Sequence, residues 1–177
     1  MTDSYTRTAI GLHWIVAALV ITALTMGWIM TDLPISPERV KVFDWHKWIG
    51  ITILALFFVR LAWRLGHPAP PLLPMPAWQH RLAVLSHALL YAMLLVQPLT
   101  GWLYSSAAGH PVVYLGLIPL PDMVGRDKAL AHTLREIHEN GAVVLATLIG
   151  LHLLGALKHQ LIDHDATLQR MLRSRAR

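Results

Sequence analysis

Cysteine is absent from this chain of 177 residues. Disulfides, iron–sulfur clusters and thiolate-held metals are thereby excluded, and histidine is left as the obvious ligand. Charge is scarce as well: 14% of the residues are Asp, Glu, Lys or Arg, against about 25% in a soluble domain. With 55% hydrophobic residues and a mean hydropathy of +0.48, the solvent for most of the chain is lipid. Acids are the minority charge, ten against fifteen Lys and Arg. Such a balance invites a nucleic-acid partner, but the distribution of the basic residues argues for none.

What is present is a set of long apolar runs. Residues 9–30 carry no formal charge. The run is too long for the apolar core of a cleavable signal and no small-x-small site follows it, so it reads as a first membrane span. Residues 43–65, 82–103 and 135–159 are the other three. About 20 residues at 1.5 Å each cross a hydrocarbon layer, and helices satisfy their own backbone groups there. The chain is therefore expected to be an all-α, integral membrane four-helix bundle, one domain over 1–177. Arg7, the 60–81 connection and the tail from Lys158 carry nine of the fifteen basic residues with three acids. The other two connections carry six against seven acids. Both termini are accordingly expected in the cytoplasm, where the excess positive charge faces anionic lipid.

The connections have their own character. GHPAPPLLPMPAW holds five of the eleven prolines and is expected to be a stiff, extended connector. The connection over 105–127 contains VVYLGLIPLP, which suits a segment folded back on the membrane face as a cap. The tail DHDATLQRMLRSRAR groups Leu168, Met171 and Leu172 on one face, the pattern of a short surface-lying helix.

Eleven histidines are many for a membrane chain, where ionisable groups mark a pathway or a cofactor. His138 and His152 lie fourteen residues apart on one span, within about 40° of one face and roughly 21 Å apart along the axis. By depth, His13 pairs with His152 at an inner level and His46 with His138 at an outer one. Each pair joins two helices, as bis-imidazole haem b requires, so two haems b are expected with these four residues on the irons. Gly50, Gly141 and Gly155 lie a turn from these ligands, where a missing side chain admits a porphyrin or simply a close helix contact. Arg60, fourteen residues after His46, suits a haem propionate or an interface anchor. His87 on the third span is a rival inner ligand. His159, with Lys158 beside it, either serves a quinone carbonyl as proton donor or is a solvated helix end. Arg135, one turn outside His138, either steers a small anion or belongs to a solvated face with the nearby acids.

IGLHW, VRLAWRL, HPAPPLL, SHALLYAMLLVQPLTGW, GHPVVYLGLIPLP and DHDATLQRML together resemble the bacterial four-helix cytochrome b561 family, over nearly the whole chain. Within it the sequence looks most like the superoxide oxidases. That resemblance implies haem b ligation by His13, His46, His138 and His152, and a quinone-side histidine at His159. It also implies a basic residue near the outer haem at Arg135.

The activity expected from residues and resemblance together is oxidation of superoxide to dioxygen on the periplasmic side, with ubiquinone reduced in the membrane. The partners are then lipid, ubiquinone and superoxide, with room for a homo-oligomer. An alternative is an electron-relay subunit between the quinone pool and a partner dehydrogenase, hydrogenase or periplasmic redox protein. A third is a small histidine-based transporter or assembly factor without redox chemistry.

Overall fold

Side chains that can start a helix stand at three of the four long-helix boundaries, and a proline stands at the fourth. The computed structural model describes residues 4–173. Its long helices are α1 (Arg7–Asp32), α2 (Pro37–Gly66), α3 (Ala77–Ala107) and α4 (Lys128–Leu161). Thr6 Oγ1 accepts from the Ala9 N–H, Ser36 Oγ from Arg39 with Pro37 in the first turn, and Asp127 from Ala129 and Leu130. These groups satisfy amides that a helix start leaves without partners. Pro76 precedes α3 without a side-chain cap, and the prolines after Gly66 keep α2 from continuing.

The helices contain 26 to 34 residues, so each is roughly 40–50 Å long and overreaches a hydrocarbon core of about 30 Å. Their most apolar windows have mean hydropathy 1.7–2.0, yet only 6–17% of each window is buried within the chain. Apolar surface on that scale belongs against lipid. The architecture agrees with the expected helical membrane bundle.

Packing follows chain order: α1 lies on α2, α2 on α3 and α3 on α4, while α4 makes at most slight contact with α1 and α2. The core cluster is small, comprising Val16, Val20, Ile53, Phe57, Leu94 and Leu145, and draws on all four helices. Leu145 lies midway between His138 and His152, two turns from each. The buried apolar layer therefore separates two histidine levels.

At one end of the bundle the chain folds into β1 (Val113–Tyr114) and β2 (Ile118–Pro119), paired antiparallel as Val113 with Pro119 and Tyr114 with Ile118. Leu115 and Gly116 both take positive φ, 54° and 70°, and Leu117 N–H returns to the Tyr114 carbonyl at 3.1 Å. The three residues 115–117 thus close the hairpin through a left-handed turn, which Gly116 enters without steric cost. The hairpin is fastened to α2. The Trp48 indole donates to the Val113 carbonyl at 2.7 Å, and the Tyr114 hydroxyl lies 3.0 Å from Thr52 Oγ1. The apolar run thus folds back against α2.

Both described chain ends meet at the opposite end, here called the terminal end. There the Trp63 indole donates to Thr6, the Trp14 indole to the Met171 carbonyl, and Arg170 to the Pro71 carbonyl. The tail is less helical than its pattern suggests: α5 (Gln169–Leu172) spans a single turn. The last four residues of the stretch expected as a surface helix, 174–177, lie outside the described residues.

Candidate functional site

α2 and α4 bring His46 and His138 together near the hairpin end, with ring centroids 6.1 Å apart and planes at 89°. α1 and α4 bring His13 and His152 together near the terminal end, centroids 6.3 Å apart and planes at 59°. Two metal–imidazole bonds of about 2 Å each, with half a ring at either side, span roughly 6 Å. Both pairs therefore stand at the spacing of two rings on one iron. The helices that face each other through these histidines make at most slight backbone contact, so the rings themselves bridge the gap.

The hairpin-end pair is held in detail. His138 Nδ1 lies 3.1 Å from the Gln97 carbonyl and 3.2 Å from Thr100 Oγ1. The carbonyl can only accept, so Nδ1 carries the proton and Nε2 keeps its lone pair for a metal. Gln97 Nε2 in turn donates to the His138 carbonyl at 2.7 Å. Gly101 sits against the ring, where a Cβ would stand 2.9 Å from His138 Cε1. His46 Nδ1 is buried without a hydrogen-bond partner; the Ala23 carbonyl faces it outside hydrogen-bond geometry. A buried imidazole with so little compensation fits a ring whose other nitrogen is engaged by a metal.

The terminal end gathers three imidazoles. His87 stands 5.3 Å from His152, at 80°, about 1 Å short of the two-ring spacing. Its Nδ1 donates to the Ala83 carbonyl at 2.6 Å, leaving Nε2 free. His13 has the right distance, but its Nδ1 accepts from Arg60 Nη2 at 3.2 Å. Arginine is a donor only, so this contact places the neutral ring's proton on Nε2. Ligation through Nε2 requires Arg60 to leave, and a propionate is the partner a guanidinium prefers. Arg60 and Arg64 both lie over the Tyr91 ring, at 5.1 and 5.6 Å. With Trp63, His67 and Met171 they line a shallow cleft open at the terminal end. The donor sets at both ends thus suit haem b.

The sequence profile of the family described as prokaryotic cytochrome b561 matches residues 4–174. This chain belongs to the cytochrome b561 family. It is 33% identical to a probable superoxide oxidase of Yersinia pestis, covering 97% of each chain. It is 33% identical to cytochrome b561 homolog 2 of Escherichia coli, over 90% of this chain and 86% of that one. Homolog 1 of the same organism is 32% identical, over 96% and 97%. The cytochrome is accordingly a multi-pass bacterial membrane redox protein of a family that binds haem b.

Beyond the paired histidines, the cytochrome places His159 at the end of α4, its side chain 13% exposed. Its Nδ1 lies 2.6 Å from Asp165 Oδ2 and 3.2 Å from Asp163 Oδ2. Lys158 Nζ holds both oxygens of Asp163, at 2.8 and 2.6 Å. One imidazole and two carboxylates so close could hold a divalent cation, but the Lys158 ammonium already neutralises one carboxylate. Desolvation works to raise the Asp165 carboxyl, yet hydrogen bonds from Thr167 and His159 outweigh it and hold that carboxyl below its usual value.

Arg135 is half exposed and bound to Glu139, Nε to Oε1 at 2.7 Å. Lys47 is likewise paired with Asp44 at 3.0 Å. The charge for an anion funnel at the hairpin end is therefore partly cancelled where the sequence suggests it. Of the two readings of Gly141, the close helix contact is the one seen: the Gln97 side chain of α3 fills the space beside it, and a Cβ there would collide with Gln97 Oε1. Nothing lies within 4 Å of a Cβ at Gly50 or Gly155, and those two retain room beside them. Gln97, Thr100 and Asp165 carry no signal of their own in the sequence. The QPLTGW run is the only hint of the first two, and their role depends on which face of α3 meets α4.

Proposed function

We propose that this cytochrome is a diheme superoxide:ubiquinone oxidoreductase of the bacterial inner membrane, with its hairpin end toward the periplasm. The observation that carries the reading is the vertical arrangement of two imidazole pairs, one member of each on the long helix α4, separated by a buried apolar layer. Such an arrangement suits transfer from an aqueous donor at one face to a lipid-soluble acceptor at the other. Two superoxide anions each give up one electron and leave as dioxygen, while one ubiquinone takes two electrons and two protons. When bound, the haems supply one-electron storage and transfer at the two levels. His46 and His138 would hold the outer group, and His13 and His152 the inner one, with Arg60 free to turn from His13 to a propionate. Val20, Ile53, Leu94 and Leu145 exclude water between the two levels, so that electrons cross without accompanying protons. His159 would give a proton to the quinone oxygen at the cytoplasmic side, with Lys158 in the same cluster.

The relatives support this reading, one of them a probable superoxide oxidase aligned end to end. The test is stopped-flow mixing of the oxidised holoprotein with superoxide. Reduction of haem near the diffusion limit, followed by reoxidation on adding ubiquinone, is the expected result. An oxidised spectrum that persists through the superoxide pulse refutes the assignment.

A relay subunit for a partner redox protein is the second reading. It is favoured by the hairpin, which exposes Leu115, Leu117 and Ile118 at its tip. Membranes solubilised gently and resolved by native electrophoresis distinguish the two, since a relay subunit migrates with its haem in a larger complex.

A further inference from the structure

The chain reverses sharply after α4. Ile162 and Asp163 N–H groups both return to the Lys158 carbonyl, at 2.9 and 3.1 Å, and Asp165 N–H returns to the His159 carbonyl at 3.1 Å. His164 adopts φ +53°, a left-handed conformation that few non-glycine residues enter. This reversal carries Asp165 back over the last turn of the helix. There Asp165 Oδ2 sits 2.6 Å from His159 Nδ1, while Oδ1 accepts the Thr167 N–H at 2.8 Å. The following segment is tied down by Trp14 and by Arg170. The carboxylate is thus fixed in place by the backbone, and it is more exposed than the imidazole it meets, 24% against 13%.

A neutral imidazole that donates from Nδ1 to a carboxylate has Nε2 left for chemistry. Asp163, the other acid facing His159, is already bound twice by Lys158. We propose that Asp165 is the positioning residue of the quinone-reducing site. It keeps the His159 proton on Nδ1 when the ring is neutral, leaves Nε2 toward the substrate, and stabilises the imidazolium that forms when His159 is recharged from water. The inference rests on the reading of His159 as the proton donor to ubiquinone. In the step itself the Nε2–H bond breaks and an O–H bond forms on the quinone oxygen, which has just received an electron that originated on superoxide. The ring is left neutral with its Nδ1–H on Asp165, and solvent returns a proton to Nε2.

The experiment uses the full-length holoprotein, reduced by superoxide and then mixed with ubiquinone-1 while haem reoxidation is followed. Asp165→Asn is expected to slow reoxidation about 10- to 100-fold, with the KM for quinone little changed and the pH profile of the rate displaced. Haem content, spectra and reduction by superoxide should match the native protein, and Asp165→Glu should recover most of the rate. Nitrogen NMR of histidine-labelled protein should show the His159 Nδ1–H tautomer in the native chain and a mixture in Asp165→Asn. Where the amide variant loses haem, Asp165→Ser carries the same comparison. Native reoxidation with a native pH profile in the carboxylate-free variants, alongside a slow His159→Leu, overturns the role of Asp165 alone. A His159→Leu protein that reoxidises as fast as native removes the histidine from quinone reduction, and Asp165 with it.

Discussion

The imidazoles of His46 and His138 face each other with ring centroids 6.1 Å apart, although the helices that carry them barely touch. His138 is held in that position from α3, by Gln97, Thr100 and Gly101, and in the proposed function a haem iron joins the two rings. If the proposed function holds, replacing either residue with alanine should remove one of two haems per chain. The remaining haem should keep its low-spin spectrum. Pyridine haemochromogen assay with optical spectra of the two variants checks this.

At the terminal end two histidines compete for the place opposite His152. Distance favours His13, while the free tautomer favours His87. Distance is the stricter requirement, because a proton moves between ring nitrogens more readily than a helix moves by 1 Å. His13→Ala is therefore expected to lose the terminal-end haem and His87→Ala to retain both, as read by the same assay.

Gly101 tests the cradle of His138. An added methyl would stand 2.9 Å from Cε1 and 3.3 Å from Nδ1, against a ring fixed by Gln97 and Thr100. Overpacking of this kind typically costs about 1–3 kcal/mol. Gly101→Ala should lower the thermal midpoint of the detergent-solubilised protein and shift the hairpin-end haem toward a high-spin spectrum. Gly50→Ala, with nothing within 4 Å of its Cβ, should be better tolerated by the folded chain.

Charge at the hairpin end can be released by one substitution. Glu139 holds Arg135 at 2.7 Å on an exposed face, so Glu139→Gln should unmask the guanidinium. The rate of haem reduction by superoxide is then expected to rise about twofold at low salt and to lose the gain at high ionic strength. Arg135→Gln should move the rate the other way.

Acid should loosen the tail. The Asp165 carboxyl is held below its ordinary value of 3.8 by its hydrogen bonds. A depressed carboxyl contributes stability that is fully present above the unfolded value and disappears as pH falls through the folded one. Protease sensitivity of the segment after α4 should therefore stay constant from neutrality down to about pH 4 and increase below it. Asp165→Asn should show the sensitive behaviour at every pH.

Composition and periodicity act locally, and what they determine is local. Lipid as solvent, four apolar helices, and the fourteen-residue interval between His138 and His152 are all readable along the chain, because hydropathy and helix geometry need no knowledge of neighbours. Depth in the membrane added the two-level pairing, since a spanning helix converts sequence position into height. Which faces meet was decided only in three dimensions. Nothing near Gly141 in sequence shows that Gln97 fills its space, that Thr100 and Gly101 enclose His138, or that the hairpin rests on Trp48 and Thr52. Asp165 reaches His159 only because His164 takes a left-handed turn, and a single residue's φ has no periodic signature. Side-chain contacts between elements depend on rotation about each helix axis. That rotation is fixed by the sum of many weak packing terms, which no one stretch of sequence contains.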